Sequence, residues 1–164
     1  MSSKLKANFA QDLQKIVGKE CWGSVEGEGT GSVILFMFGE KIPNLKPIEN
    51  EHLSKDVQNF ESEFSLFIQC VWRVDSNKKV IFGAWTEHEI VHREINQIIG
   101  QSVKSFDLFE PAFDLKLTFA NDLQISIFCD QTNDVDNNDN YSFFTPENIY
   151  TVGHKSILTT YKHD

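Results

Sequence analysis

Two neighbouring segments between residues 113 and 129 alternate apolar and polar side chains with a period of two. Leu115, Leu117 and Phe119 form the apolar side of the first segment, and Ile125 and Ile127 form that of the second. Because successive side chains of a β-strand point to opposite faces of a sheet, this pattern predicts two strands that each bury one face. The Ala-Asn-Asp turn between them is short, which favours an antiparallel hairpin. The chain must therefore be built around a sheet with a buried face.

Apolar alternation and turn residues predict further β-structure along the chain. The expected elements are a strand at 64–74 that turns at 75–78 into 80–82, a hairpin at 22–38 that turns at 28–31, and short strands near 141–144 and 148–160. Residues 39–60 contain Pro43 and Pro47, which predicts a long loop with space for a short edge strand. Residues 130–140 lack apolar periodicity, which predicts a solvated loop.

Helical spacing of apolar residues occurs twice. Leu5, Phe9 and Leu13 predict a helix near 4–17, and the isoleucines between 90 and 99 predict a second helix that Gly100 ends. Few helices link successive strands, so the sheet should be largely antiparallel. The predicted fold class is α+β: a largely antiparallel, twisted sheet of hairpins with an N-terminal helix and one mid-chain helix packed on it. With 164 residues, the chain suits a single domain over 1–164.

The charge is strongly acidic and unevenly distributed. The net charge is −9, and residues 101–164 hold 10 acidic and 4 basic side chains. Such a chain repels phosphate backbones, so nucleic acid is not an expected partner, whereas a basic protein would be attracted. The alternative is that the charge serves solubility alone.

Cysteine usage and apolar runs bear on the compartment. No run approaches the roughly 18 apolar residues that span a bilayer, and no signal peptide is evident, so a cytoplasmic protein without membrane association is expected. Cys21, Cys70 and Cys129 are odd in number and widely spaced, which favours reduced thiols. Cys70 and Cys129 lie in expected core strands and should react slowly, whereas Cys21 near a strand start should react faster.

The motif His88-Glu89-x-x-His92 lies on the predicted second helix. At positions i and i+4 both imidazoles share a face and can chelate Zn²⁺, while Glu89 can act as general base on a metal-bound water. Asp107 or Glu110 would supply the third ligand. The flanking charged residues favour the alternative, a solvated helix face, so no cofactor and no catalytic residue is expected.

The acidic loop and one Trp-Arg pair are candidate partner-binding sites. Four aspartates lie within the loop: Asp130, Asp134, Asp136 and Asp139. Asp134, Asp136 and Asn138 are spaced as at the opening of an EF-hand loop, but the sixth position is Asp139 rather than glycine and the twelfth is Thr145 rather than glutamate, which argues against calcium. Carboxylates here could instead steer a basic partner. Trp72 and Arg73 are residue types enriched in binding hot spots, although a core tryptophan beside a paired arginine is an equal alternative.

Several motifs together resemble a family of small uncharacterised bacterial proteins. They are Trp22, Gly-Glu-Gly-Thr-Gly-Ser at 27–32, Phe-Met-Phe-Gly at 36–39, Phe-Ser-Leu-Phe-Ile-Gln-Cys-Val-Trp-Arg at 64–73, Ile-Gly at 99–100 and the hairpin at 115–128. The family is similar to immunity proteins of polymorphic or contact-dependent toxin systems. The resemblance implies a single α+β domain without catalytic residues that binds a cognate toxin.

Two functions therefore stand as hypotheses. The first is a non-catalytic protein-binding module: a bacterial immunity protein, monomeric or weakly dimeric, that neutralises a basic, nuclease-type toxin domain by direct binding. The second is a small zinc metallopeptidase that uses His88, Glu89 and His92.

Overall fold

The computed structural model describes residues 2–27, 33–133 and 138–164. Within these residues the chain forms three α-helices, two short 3₁₀ helices and eleven strands. The α-helices are α1 Ser3–Gln14, α2 Lys55–Asn59 and α3 His88–Glu94, and the 3₁₀ helices are Ile95–Gln97 and His154–Ser156. The strands are β1 Glu20–Glu26, β2 Ile34–Pro43, β3 Phe60–Ile68, β4 Val71–Asp75, β5 Val80–Gly83, β6 Gln101–Phe109, β7 Asp114–Phe119, β8 Gln124–Phe128, β9 Tyr141–Phe144, β10 Asn148–Val152 and β11 Leu158–Lys162. Among the described residues, none of the helices has the length and apolar character to cross a membrane.

All eleven strands belong to one sheet, in the order β11-β10-β9-β3-β2-β1-β6-β7-β8-β4-β5. Every neighbouring pair is antiparallel. This confirms the coarse prediction of a largely antiparallel sheet with an N-terminal helix. The turn predicted at 28–31 lies outside the described residues, but the strands on either side of it, β1 and β2, do pair.

The sheet curves around one main core. Phe36 on β2, Leu66 on β3, Leu117 on β7 and Ile125 on β8 come from both halves of the sheet and belong to one buried cluster. Helix α1 adds Phe9 to the same cluster, with its ring centroid 5.1 to 6.5 Å from four other aromatic rings. Both halves of the sheet therefore share one apolar interior that α1 helps to fill.

A smaller cluster lies on the other face of β1 and β2. Met37 points away from the main core because its neighbours in the strand, Phe36 and Phe38, point into it. It packs with Trp22 and with Val57 of α2. The segment before α2 thus covers the outer face of these two strands. Ser54 caps α2 by accepting a hydrogen bond from the Val57 N–H.

The predicted hairpin at 113–129 is present as β7 and β8. Leu115 lies opposite Ile127, and Leu117 lies opposite Ile125. These four side chains are buried in the main core. In the turn, Asp122 has a φ of 65°, a conformation that aspartate adopts more readily than most residues.

The strand predicted at 64–74 is in fact two strands that lie in different parts of the sheet. β3 ends at Ile68 and pairs with β2 and β9, whereas β4 begins at Val71 and pairs with β5 and β8. At the corner, the N–H groups of Gln69 and Cys70 both donate to the Asn140 carbonyl oxygen. The corner therefore depends on a residue 70 positions away, which the local alternation does not reveal.

The other differences from the prediction concern short or weakly patterned elements. β6 was not predicted; Val103 is its one fully buried residue, and a bulge follows it, so its alternation is weak. Helix α2 lies inside the segment predicted to be a loop. Helix α1 ends at Gln14 rather than near 17, and α3 passes into a 3₁₀ turn that ends at Gln97.

Candidate functional site

A cleft of about 710 Å³ opens beside β1, and its lining combines carboxylate, imidazole, hydroxyl and amide side chains. Three segments that are distant in sequence form it: β1, the turn before α2, and α3 with its 3₁₀ continuation. The lining residues are Trp22, Gly23, Ser24, Val25, Glu26, Asn50, His52, Leu53, Ser54, His88, Glu89, His92, Ile95, Asn96 and Ile99. The volume is typical of pockets that enclose a small ligand or a short peptide segment.

Helix α3 contributes both histidines of the His-Glu-x-x-His motif to one wall of the cleft. The rings of His88 and His92 are stacked, with centroids 6.2 Å apart. Nδ1 of His92 lies 3.7 Å from Oε2 of Glu26 on β1. Glu89 also lines the cleft. The helical spacing thus places both imidazoles on one face, as the sequence predicts, and that face looks onto β1.

The structure does not bring the proposed third zinc ligand to the histidines. Glu110 lies at the end of the β6–β7 hairpin, where its carboxylate is 2.5 Å from Nζ of Lys6. Asp107 is paired in register with Lys116 on β7. Neither residue lines the cleft. Among the described residues no three His, Cys, Asp or Glu side chains are close enough to hold a metal ion together.

Two side chains of β1 have unused hydrogen-bonding capacity. The Glu26 side chain is only 11% exposed; the Ser24 hydroxyl donates to its Oε1 at 2.9 Å, and no Lys or Arg of the described chain pairs with it. Trp22 is 5% exposed, and its Nε1–H has no acceptor among the described residues. Buried polar groups are normally hydrogen-bonded. The cleft therefore has a carboxylate that a cationic guest could pair with, whereas the Trp22 N–H is enclosed by the protein.

The acidic loop is only partly described. Asp130 is exposed, and its Oδ1 accepts a hydrogen bond from the Val71 N–H at 3.3 Å, so it caps the start of β4. Asp139 is half-buried, beside Gly153. Asp134 and Asp136 lie outside the described residues. The loop thus leads directly into Asn140, a fully buried residue whose side chain bonds Gln131 and Gly153.

The two residues of the pair Trp72-Arg73 lie in different surroundings: the tryptophan is in the core, and the arginine is exposed. Trp72 is 3% exposed, and its ring packs edge-on against Phe82 at 5.8 Å. Arg73 points outward, with Nε 2.9 Å from Oδ1 of Asp75 and its guanidinium over the Phe128 ring. The burial of Trp72 agrees with the alternative of a core tryptophan beside a paired arginine, while Arg73 stays a candidate contact residue. Trp72 is unavailable to a partner.

The cysteines differ in burial from the sequence-based expectation. Cys21 is fully buried, and burial raises its pKa to about 12. Cys70 is also buried, and the adjacent Cys129 thiol together with burial raises the pKa of Cys70 further still. Cys129 is half-exposed. The structure contradicts the expectation that Cys21 is the most accessible thiol, because its side chain belongs to the main buried cluster.

Sequence reasoning missed the wall opposite α3, which His52 and Leu53 form. No periodicity or motif marks these residues, because the turn before α2 reaches the cleft only through the packing of Val57 on Met37 and Trp22. It also missed Trp85, which is 85% exposed just before α3. The sequence feature that marks Trp85 is its position between a strand and a helix, because a large apolar residue there belongs to no buried face.

Comparison with known proteins adds no assignment to this geometry. No protein-family model, no curated protein and no solved structure matches the chain.

Proposed function

We propose that the chain is a non-catalytic protein-binding module, and specifically a bacterial immunity protein that neutralises a basic toxin domain by direct binding. The observation that carries the proposal is the composition of the cleft. Its described lining contains two carboxylates, of Glu26 and Glu89, and three imidazoles, but no lysine or arginine. The net charge of −9 gives the whole molecule the same preference for a cationic partner.

Hydroxyl groups in the cleft already have structural partners, which favours binding over nucleophilic catalysis. The Ser24 hydroxyl donates to Glu26, and the Ser54 hydroxyl accepts from the backbone of α2. Serine nucleophiles are commonly activated by an imidazole within hydrogen-bond reach. Neither serine is paired with an imidazole in this way, and the Ser24 hydroxyl donates to a carboxylate of its own strand. These contacts support a binding role, because each hydroxyl already serves a structural partner.

The charges of the acidic loop act at longer range in this proposal. Asp130 and Asp139 lie at its described ends, and carboxylates on a rim mainly raise the association rate. The variant Asp130→Asn/Asp139→Asn should slow association with the toxin several-fold at low salt and flatten its salt dependence. The control Asp107→Asn/Asp122→Asn removes the same charge from the β6–β7–β8 region. Equal rates for both double variants would place the steering surface elsewhere.

The partner is testable through gene context. A large secreted protein encoded immediately upstream would supply the candidate toxin as its C-terminal domain. We expect a 1:1 complex by size-exclusion chromatography and calorimetry at micromolar concentrations, and restored growth when both proteins are co-expressed. A toxin domain that stays active and unbound in the presence of excess protein would contradict the proposal.

A further inference from the structure

β1 has a free edge inside the cleft. On one side it pairs with β2 along most of its length, but on the other side only Glu20 and Cys21 pair with β6. Beyond Cys21, no described strand continues the ladder on that side, because β6 begins at Gln101, opposite Cys21, and the chain before it forms α3 and its 3₁₀ continuation. The edge from Trp22 to Glu26 spans about 16 Å at the usual rise of a strand.

The direction of the free backbone groups follows from the β1–β2 register. The Gly27 N–H donates to the Val33 carbonyl, so Gly27 faces β2. In an antiparallel ladder the backbone groups of successive residues point alternately to the two sides. Val25 and Gly23 therefore also face β2, whereas the N–H and C=O groups of Ser24 and Glu26 face the cleft. These groups have no backbone hydrogen-bond partner among the described residues.

The cleft also supplies groups that suit the side chains of a guest strand. Ile95, Ile99 and Leu53 provide apolar walls. Glu26 offers a nearly buried carboxylate without a lysine or arginine partner among the described residues; its Oε2 lies 3.7 Å from Nδ1 of His92. A lysine or arginine side chain of a peptide supplies the matching cation, and the peptide backbone supplies groups for the strand edge.

We propose that the cleft binds an extended, basic segment of the protein partner, which adds to the free edge of β1 as a further antiparallel or parallel strand. Main-chain hydrogen bonds to Ser24 and Glu26 hold the segment, and a lysine or arginine side chain beside the Glu26 carboxylate selects it. The identity of the partner as a toxin rests on the proposed function. The mode of binding is argued only from the unpaired edge of β1, the volume of the cleft and the charges of its lining.

Synthetic decapeptides test this mode of binding without the natural partner. The probe is a set of four pools, randomised except for one central position fixed as Lys, Arg, Gln or Glu, with a fluorescent label. We expect the Lys and Arg pools to bind about tenfold more tightly than the Gln pool, and the Glu pool to bind least. Hydrogen exchange at the Ser24 and Glu26 amides should slow when the best peptide binds, while exchange at Val25 stays unchanged.

Two matched changes separate strand addition from general charge attraction. N-methylation of alternate peptide bonds in the best binder should abolish binding in one register and leave it unchanged in the other, without any change to the protein. Glu26→Gln, which keeps the acceptor for Ser24, should remove the preference for Lys and Arg, whereas Asp107→Asn should not. Binding that survives both N-methylation patterns, a pool order independent of charge, or no binding by any pool at millimolar concentration would overturn the proposal.

Failure of this proposal differs from failure of the proposed function. If the toxin domain binds the wild type and Glu26→Gln equally and leaves the Ser24 amide unprotected, the interface lies elsewhere and the immunity role stands. If basic peptides protect Ser24 and Glu26 but no toxin is neutralised, the cleft is a peptide site of a protein with another role.

Discussion

The buried carboxylate of Asp12 joins helix α1 to the far end of the sheet. Asp12 is 6% exposed, and its Oδ2 accepts hydrogen bonds from the Tyr150 hydroxyl at 2.7 Å and from the Asn148 side chain at 3.3 Å. Lys15 lies 2.7 Å from its other oxygen. Because Phe9 of the same helix fills the main core, these bonds fix how α1 enters it. We predict that Tyr150→Phe destabilises the protein measurably.

The loss of stability in Tyr150→Phe depends on which hydrogen-bond partners of Asp12 remain. A hydrogen bond to a charged acceptor contributes about 1.5–3 kcal/mol, and Tyr150→Phe removes one while Asn148 and Lys15 stay. Lys15 is half-exposed, so its ion pair contributes less than about 1 kcal/mol and cannot compensate. A loss of about 2 kcal/mol lowers the melting temperature of a chain this size by roughly 4–8 °C. Urea unfolding at pH 7 measures it, with Tyr161→Phe on the exposed edge strand as the control.

The same carboxylate gives the prediction a pH dependence. Burial alone would raise the pKa of Asp12, but hydrogen bonds from Lys15, Tyr150 and Asn148 outweigh it and hold the pKa below 3.8. A carboxyl with a lowered folded-state pKa contributes stability that is present above its unfolded pKa and is lost as the pH falls through the folded value. The Tyr150→Phe penalty should therefore be constant from pH 5 to 8 and shrink in stronger acid. A penalty below about 0.5 kcal/mol at pH 7, or one that grows in acid, would refute the reasoning.

Two further predictions concern thiols and metal. Alkylation of the native protein followed by mass spectrometry should modify Cys129 first, and Cys21 and Cys70 only on unfolding; early labelling of Cys21 would contradict the burial seen here. Protein purified without metal and then exposed to zinc should retain less than one equivalent after dialysis. A single retained ion that is lost in His88→Ala would instead favour the zinc hydrolase hypothesis.

Local pattern was sufficient to predict the parts of the fold whose partners are close in sequence. The β7–β8 hairpin has both strands, both faces and its turn within 15 residues, so Leu117 and Ile125 could be matched before their pairing was known. The first helix was predicted for the same reason, since Phe9 and Leu13 lie one turn apart. In each case a single period fixes the buried face.

Strands and turns that depend on contacts with distant residues could not be predicted from the local pattern. At the break between β3 and β4 the Asn140 carbonyl accepts hydrogen bonds from two consecutive N–H groups, those of Gln69 and Cys70. The residues around Gln69 carry no turn signal that would predict this break. Strand β6 pairs with β1 only at Gln101 and Ser102 and with β7 across a bulge after Val103, so its buried face is not continuous and its alternation is weak. Its pairing, rather than its own sequence, makes it a strand.

Only one wall of the candidate cleft, the one that α3 forms, could be anticipated from the sequence, for a similar reason. Helical spacing was enough to place His88 and His92 on one face, but the residue opposite them is Glu26 on β1, not Glu110. Distance along the chain suggested Glu110 as the third zinc ligand. The structure instead places Glu110, in the β6–β7 turn, beside Lys6 of α1. A motif on one helix or strand identifies the residues on one wall of a site, and the order of strands in the sheet determines which residues form the facing wall.

The two outer edge strands of the described sheet and the free part of β1 differ in how they are protected. The outer edge strand β5 begins directly after Lys78 and Lys79, and the other outer strand, β11, ends in Lys162. Lysines on an edge oppose pairing with another sheet. The free part of β1 has no lysine; it ends in Glu26 and is enclosed by α3 and the turn before α2. In the proposed binding mode this enclosure excludes a second sheet and admits one extended segment, and the Glu26 carboxylate favours a segment that carries positive charge. Charge protects the outer edges, while steric enclosure restricts the inner edge to one kind of guest.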